Sequence, residues 1–133
     1  LYRSVVTGDI AQIRGHAKSF VVEDAATEQA RLESGEIVVT GPMFGHSMRQ
    51  PTVDSEAWEL EQRILDSHAL SLDSFSHLRK LANGTRRPLA ISPGEASACI
   101  DEQGCLSVSF TLPAGGYATA ILREILKTEN EAQ

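Results

Sequence analysis

The chain contains no apolar run approaching the roughly 20 residues that a membrane-spanning helix needs, and no charged-then-apolar leader opens it. Both absences point to a cytoplasmic protein with no membrane partner. Cysteine occurs only at Cys99 and Cys105, which excludes a disulfide framework and fits two free thiols in a reducing compartment. The four histidines, His16, His46, His68 and His77, form no set with metal-ligand spacing, so no metal site is expected. Cations are the minority: 12 Lys and Arg against 18 Asp and Glu give a net charge of -6, the wrong balance for a general polyanion binder. Gly-x-Ser-x-Gly, Gly-Lys-Ser/Thr and His-Glu-x-x-His are all missing, so motifs of hydrolysis or nucleoside triphosphate binding do not define a function.

What remains is an ordinary globular composition, 41% apolar and 23% charged over 133 residues, enough for one modest core. The opening Leu1-Tyr-Arg-Ser-Val-Val6 reads like the middle of something, so a fragment or processed piece of a longer protein is expected. Gly8 to Gly15 and Ser19 to Val22 alternate or cluster apolar residues as two short strands. Glu23 to Ser34 carries helix formers and stops at Gly35, and Ile37 to Thr40 is a third strand. Gly41-Pro-Met-Phe-Gly45 reads as a loop whose Met43 and Phe44 seek burial.

A helix beginning at Thr52 to Asp54 should turn Ala57, Leu60, Ile64 and Leu65 inward, with Trp58 half buried. A second, from Ser71 or Leu72, carries Leu72, Phe75, Leu78 and Leu81 and stops at Asn83-Gly84. Arg87 to Ile91, a hairpin and a terminal helix from about Gly116 to Lys127 complete the chain, with a frayed tail from Thr128 to Gln133. The strands fall in two clusters separated by helices, which predicts the α+β class, and the clusters need not share a sheet.

The hairpin has a definite expected register. Ala96, Ala98 and Ile100 alternate before Glu102-Gln-Gly104, and Leu106, Val108, Phe110 and Leu112 alternate after it. A three-residue loop with glycine at the left-handed position sets Ile100 against Leu106, Cys99 against Ser107 and Asp101 against Cys105. The sulfurs are then diagonal neighbours, a poor disulfide geometry.

Two features carry candidate chemistry. Arg79, Lys80, Arg86 and Arg87 place four of the twelve cations within nine positions with no acid among them, either a solvated helix end or an anion-binding patch. Arg86 and Arg87 alternate faces if they open a strand, so one should reach phosphate or the active site and the other a carboxylate within the fold. In Phe110-Thr-Leu-Pro-Ala-Gly-Gly-Tyr117, Pro113 ends the ladder and Gly115-Gly116 leave backbone bare at a helix start, where orphan amides favour anions. Tyr117 at that mouth could stack on a base or simply pack with its hydroxyl at the surface. Arg123 and Glu124 suggest a structural ion pair on the same helix.

The order Gly-Asp-Ile (8 to 10), Gly-Pro-Met-Phe-Gly (41 to 45), Arg-Arg-Pro-Leu (86 to 89), Phe-Thr-Leu-Pro-Ala-Gly-Gly-Tyr-Ala-Thr (110 to 119) and Leu-Arg-Glu (122 to 124) resembles the C-terminal part of the TruD family of tRNA pseudouridine synthases. The resemblance implies a catalytic α+β domain interrupted by an inserted domain, with residues 1 to about 84 in the insertion and 85 to 133 in the catalytic domain. It implies an isomerase acting on a D-arm uridine of tRNA, without cofactor or metal. Tyr117 then occupies the place of the aromatic that lies against the target uridine, with Arg79, Lys80, Arg86, Arg87, Gly115 and Gly116 toward RNA.

The same family carries its single nucleophilic aspartate in a Gly-x-Lys-Asp segment of the N-terminal part. Here Lys18, Lys80 and Lys127 precede Ser, Leu and Thr, and the family's Asn-aromatic-Phe-Gly segment is also absent. The resemblance therefore implies a partner for this chain: an N-terminal catalytic half that carries the aspartate, in the same polypeptide or a separate chain. A noncatalytic RNA-binding or assembly module derived from that fold is the competing reading.

Overall fold

A computed structural model describes residues 3–127. The fold is α+β, with a four-stranded and a two-stranded antiparallel sheet, and it divides into two compact units between Ala90 and Ile91. In the first unit, β1 (Ile10–Ile13), β2 (Ser19–Val21), β3 (Ile37–Met43) and β4 (Thr85–Pro88) assemble in the order β2-β1-β3-β4. Helices α1 (Ala25–Glu33) and α2 (Glu56–Ser67) and a three-ten segment, Leu72–Ala82, complete it.

Central strand β3 opens with four buried residues in a row, Ile37 to Thr40. Side chains alternate along a strand, so a continuous buried run means both faces are covered. Ile37 and Val39 join Val5, Ala11 and Val22 in one apolar cluster, against which Phe20 and the α1 residues Ala25 and Leu32 pack. Asp24 caps α1 by accepting from the Ala26 amide at 3.0 Å. Arg31, near the other end of α1, bridges Glu28 at 2.8 Å and Glu36 at 2.6 Å and lies 5.4 Å from the Phe20 ring centroid.

Three elements differ from their sequence expectation. The segment expected as a loop at Gly41-Pro-Met is the second half of β3, paired Gly41↔Arg87, Pro42↔Arg86 and Met43↔Thr85. Only residues 37 to 39 of β3 pair with β1, so Pro42 sits where β3 has a neighbour on one side, the edge-like setting in which a strand tolerates proline. Helix α2 starts later than expected, with Ser55 as N-cap accepting from the Trp58 amide, and its buried residues are Ala57, Glu61 and Leu65, while Ile64 is 49% exposed.

The third element, expected as an α-helix, is a three-ten segment with a break at Arg79. Its apolar residues Leu72, Phe75, Leu78 and Leu81 recur every three residues, which is the three-ten period rather than the α period. Leu72 and Phe75 are half buried, and beyond the break Leu81 is 92% exposed.

The second unit contains the hairpin β5 (Gly94–Ile100) and β6 (Leu106–Thr111) and helix α3 (Ala118–Ile125). Its pairs Cys99↔Ser107 and Ile100↔Leu106 agree with the expected register, and Gly104 has φ +81° as the turn requires. Asp101 stabilises that turn by accepting from the Gln103 and Cys105 amides at 2.9 and 2.8 Å. A bulge between Gly94 and Ser97, where Glu95 has φ 48°, interrupts the alternation expected at Ala96. None of the strand or helix residues of this unit is buried: Ile100 is 72% exposed and Leu106 54%, Ile125 46%. The expected frayed tail lies outside the described residues.

The compact units break after Ala90 because β4 joins the first sheet through β3 and the Leu89 amide donates to Val39 O at 2.9 Å. The residues Arg-Arg-Pro-Leu thus belong to the first compact unit, although the chain's family resemblance set a domain boundary at about 84.

Candidate functional site

The two motifs Gly-Pro-Met-Phe-Gly and Arg-Arg-Pro-Leu are largely ladder partners of one another. A Cβ on Gly41 would come within 2.6 Å of Leu89 Cδ2, so the glycine makes room for the last residue of the facing motif. At the other end, a Cβ on Gly45 would meet Gly84 N at 2.1 Å and Gly84 Cα at 2.4 Å, a crossing of two backbones that leaves space for no side chain. The crossing is fastened beside the two glycines: His46 N donates to Ala82 O at 3.1 Å, and the Ser47 amide and hydroxyl donate to Asn83 O at 3.0 and 3.1 Å.

Strand β4 alternates, and its two arginines go opposite ways. Arg86 is turned into the fold, its side chain 7% exposed. Its Nη2 donates to Glu61 Oε1 at 2.6 Å and to Thr40 O at 3.0 Å, its Nε to Thr40 Oγ1 at 2.9 Å, and its Nη1 to Arg49 O at 3.2 Å and Glu61 Oε2 at 3.3 Å. Thr40 in turn donates its hydroxyl to Ile10 O at 2.6 Å. A guanidinium so occupied has no donor to present to RNA, so Arg86, expected among the RNA-facing residues, is instead the member of the pair that meets a carboxylate within the fold. Neighbouring Asp9, which accepts from the Val6 amide at 3.0 Å, has its carboxyl raised above the ordinary 3.8, chiefly by burial and against the pull of Arg86.

Arg79, Lys80 and Arg87 are exposed, and none of them makes an ion pair among the described residues. The cationic run therefore resolves into one buried structural arginine and three solvent-facing cations.

In the second unit, Gly115 has φ +85°, the left-handed conformation that carries the chain from β6 toward α3. Gly116 N donates to Pro113 O at 2.9 Å, so its amide is committed inside the turn, contrary to the expectation of bare backbone at both glycines. Tyr117 is the N-cap of α3, makes no side-chain capping bond and is 70% exposed. The side chain of Tyr117 is thus largely unpacked among the described residues, as are its neighbours on α3. Glu124 pairs with Lys127 at 2.9 Å rather than with Arg123.

Sequence reading missed Glu61 and Thr40. The available signal was spacing: Ala57, Glu61 and Leu65 lie four residues apart, which puts a carboxylate at the centre of an inward helical face. No group of three His, Cys, Asp or Glu suited to a metal ion occurs among the described residues, and no helix among them is long and apolar enough to cross a membrane.

Comparison with known proteins assigns this arrangement first to a class. A solved structure from Methanosarcina mazei, described as a putative tRNA pseudouridine synthase D, superposes with a TM-score of 0.68 at 27% identity, over 96% of this chain and 32% of that one. Among curated relatives, the tRNA pseudouridine synthase D of Geotalea daltonii is 41% identical over 125 residues, 93% of this chain and 31% of its own length. That of Thermus thermophilus is 36% identical over 129 residues, 97% of this chain and 34% of its own length. The family model described as tRNA pseudouridine synthase D (TruD) matches residues 2–125, and the chain belongs to that family. It spans about a third of the length of the relatives it matches.

Proposed function

We propose that this chain is the C-terminal segment of a TruD-type synthase, which isomerises a D-arm uridine of tRNA to pseudouridine. The observation that carries the reading is the family match, joined to the exposed, uncapped Tyr117 at the turn where the family resemblance expects the uridine-facing aromatic. Tyr117 stacks on the target base, a contact worth about 1–3 kcal/mol, and Arg79, Lys80 and Arg87 hold phosphates. Gly115 and Gly116 shape the turn on which Tyr117 is carried and allow RNA to approach closely.

An aromatic platform and cations bind and orient a nucleotide but supply neither a nucleophile nor a proton acceptor. The aspartate that does so comes from the N-terminal catalytic half, because no Lys-Asp pair occurs in this chain. The exposed apolar residues of the second unit, with no buried residue in its strands or helix, support a unit completed by that missing half. Residues 1 to about 84 belong to the inserted domain and 85 to 133 to the catalytic domain, with β4 as the return strand. The reaction takes place in the cytoplasm without cofactor or metal, and this segment alone is inactive.

The test is deletion of the gene encoding the polypeptide that carries this chain, followed by pseudouridine mapping across the tRNA pool. Loss at one D-arm uridine, restored by the wild-type gene and not by Tyr117→Ala, is expected. An unchanged tRNA pool with RNA binding retained would instead favour the noncatalytic RNA-binding module, which the absence of the Lys-Asp pair also suits.

A further inference from the structure

Arg79 has φ 49° and ψ -130°, inside a segment otherwise made of helical turns. These angles match the first central position of a type II′ turn, about φ +60° and ψ -120°, which glycine adopts freely and an arginine does not. Strain of this kind persists where the surroundings impose it. Here burial does not impose it: Ser76 to Leu81 are all exposed.

The turn is held instead by its two ends. At the start, the Ser71 amide donates to Ser74 Oγ at 3.0 Å, and at the finish Ala82 and Asn83 are bonded to His46 and Ser47 beside the Gly45 and Gly84 crossing. Between these anchors the chain projects two consecutive cations, Arg79 and Lys80, with no carboxylate partner among the described residues. A stable turn in the same place would use glycine and lose a charge.

We propose that the Arg79–Lys80 turn is a sequence-independent phosphate clamp for the RNA backbone, in which stability is given up so that arginine can stand at the tip. The inference rests on the RNA-binding reading above, which already gives Arg79 and Lys80 to phosphates, and adds that the strained turn exists to present them and that the contact reads no base edge. Such a contact contributes affinity through counterion release, at close to one unit of salt slope per phosphate engaged.

The experiment compares Arg79→Gly, Arg79→Gln and Arg79→Gly/Lys80→Ala in the complete protein, measuring melting temperature and the affinity for total tRNA at about 50 and 200 mM salt. Arg79→Gly is expected to melt about 2 °C or more above wild type, through relief of the backbone strain. It should also shrink the affinity drop between the two salt concentrations by about threefold, and the double variant by about tenfold. Arg79→Gln should weaken RNA binding by the same amount with no gain in melting temperature.

A higher melting temperature with unaltered RNA affinity and salt slope would overturn the clamp, and so would a lower melting temperature in Arg79→Gly. Weakening confined to one tRNA species would overturn its sequence independence. None of these outcomes reads isomerisation, so the clamp can stand if no pseudouridine is formed and can fall while isomerisation is confirmed.

Discussion

Replacing Arg86 by alanine should cost folding stability rather than RNA affinity. Arg86 and Glu61 have side chains only 7% and 11% exposed, and five hydrogen bonds tie the guanidinium to Glu61, Thr40 and Arg49. Alanine would leave the Glu61 carboxylate and the Thr40 carbonyl without this partner in a site little reached by water. Breaking a buried ion pair from one side typically costs about 3–5 kcal/mol, and solvent screening reduces this little at such low exposure. Urea unfolding followed through Trp58, the single tryptophan of the chain, on α2 three residues before Glu61, should show the midpoint falling at an unchanged slope. Arg87→Ala, on the opposite face of the same strand and exposed, should stay within about 0.5 kcal/mol of wild type.

The double replacement Arg86→Met/Glu61→Leu should regain most of the loss, because removal of both charges also removes the cost of desolvating them. Two results would refute this reasoning: an unchanged urea midpoint in Arg86→Ala, or a double variant no better than the single one. RNA affinity lost at full stability would return Arg86 to the RNA surface.

Three further outcomes are expected. Asp9 has a folded-state carboxyl raised above 3.8, so its protonated form favours folding; the stability this contributes is fully present below 3.8 and is lost as pH rises through the raised value. Asp9→Asn should therefore gain stability over wild type at neutral pH and lose that advantage in acid, as read from melting temperatures across a pH series. Gly45→Ala should destabilise by about 2 kcal/mol or more, because its new Cβ meets Gly84 backbone at 2.1 Å and no side chain can yield; chemical denaturation beside wild type measures it. Tyr117→Ala in the complete enzyme should impair turnover far more than Tyr117→Phe without altering stability, and equal losses would move the role from the ring to the hydroxyl.

Features set by neighbours in sequence were legible without coordinates. The hairpin register from Ile100↔Leu106 follows from alternation on either side of a loop whose Gly104 supplies the left-handed residue, and that chemistry is complete within about ten residues. The α1 stop at Gly35 is of the same local kind, and so is the start of α3 just past Gly116.

Tertiary structure decided what depends on distant partners. Gly-Pro-Met could be recognised as strand only once Thr85 to Arg87 lay beside it, since a proline is excluded from a strand or tolerated according to which side is paired. Spacing on α2 allowed two stripes, and only the fold shows that the inward one runs through Glu61, where the carboxylate meets the buried cation 25 residues later in the chain. Composition and spacing made Arg86 and Arg87 equivalent, and only the register of β4 against β3 sent one into the fold and left the other in water. Sequence alone determined the Gly104 turn with its register and the stop of α1 before Gly35; the fold determined which charges are neutralised, because a charge's environment is set by the residues brought around it.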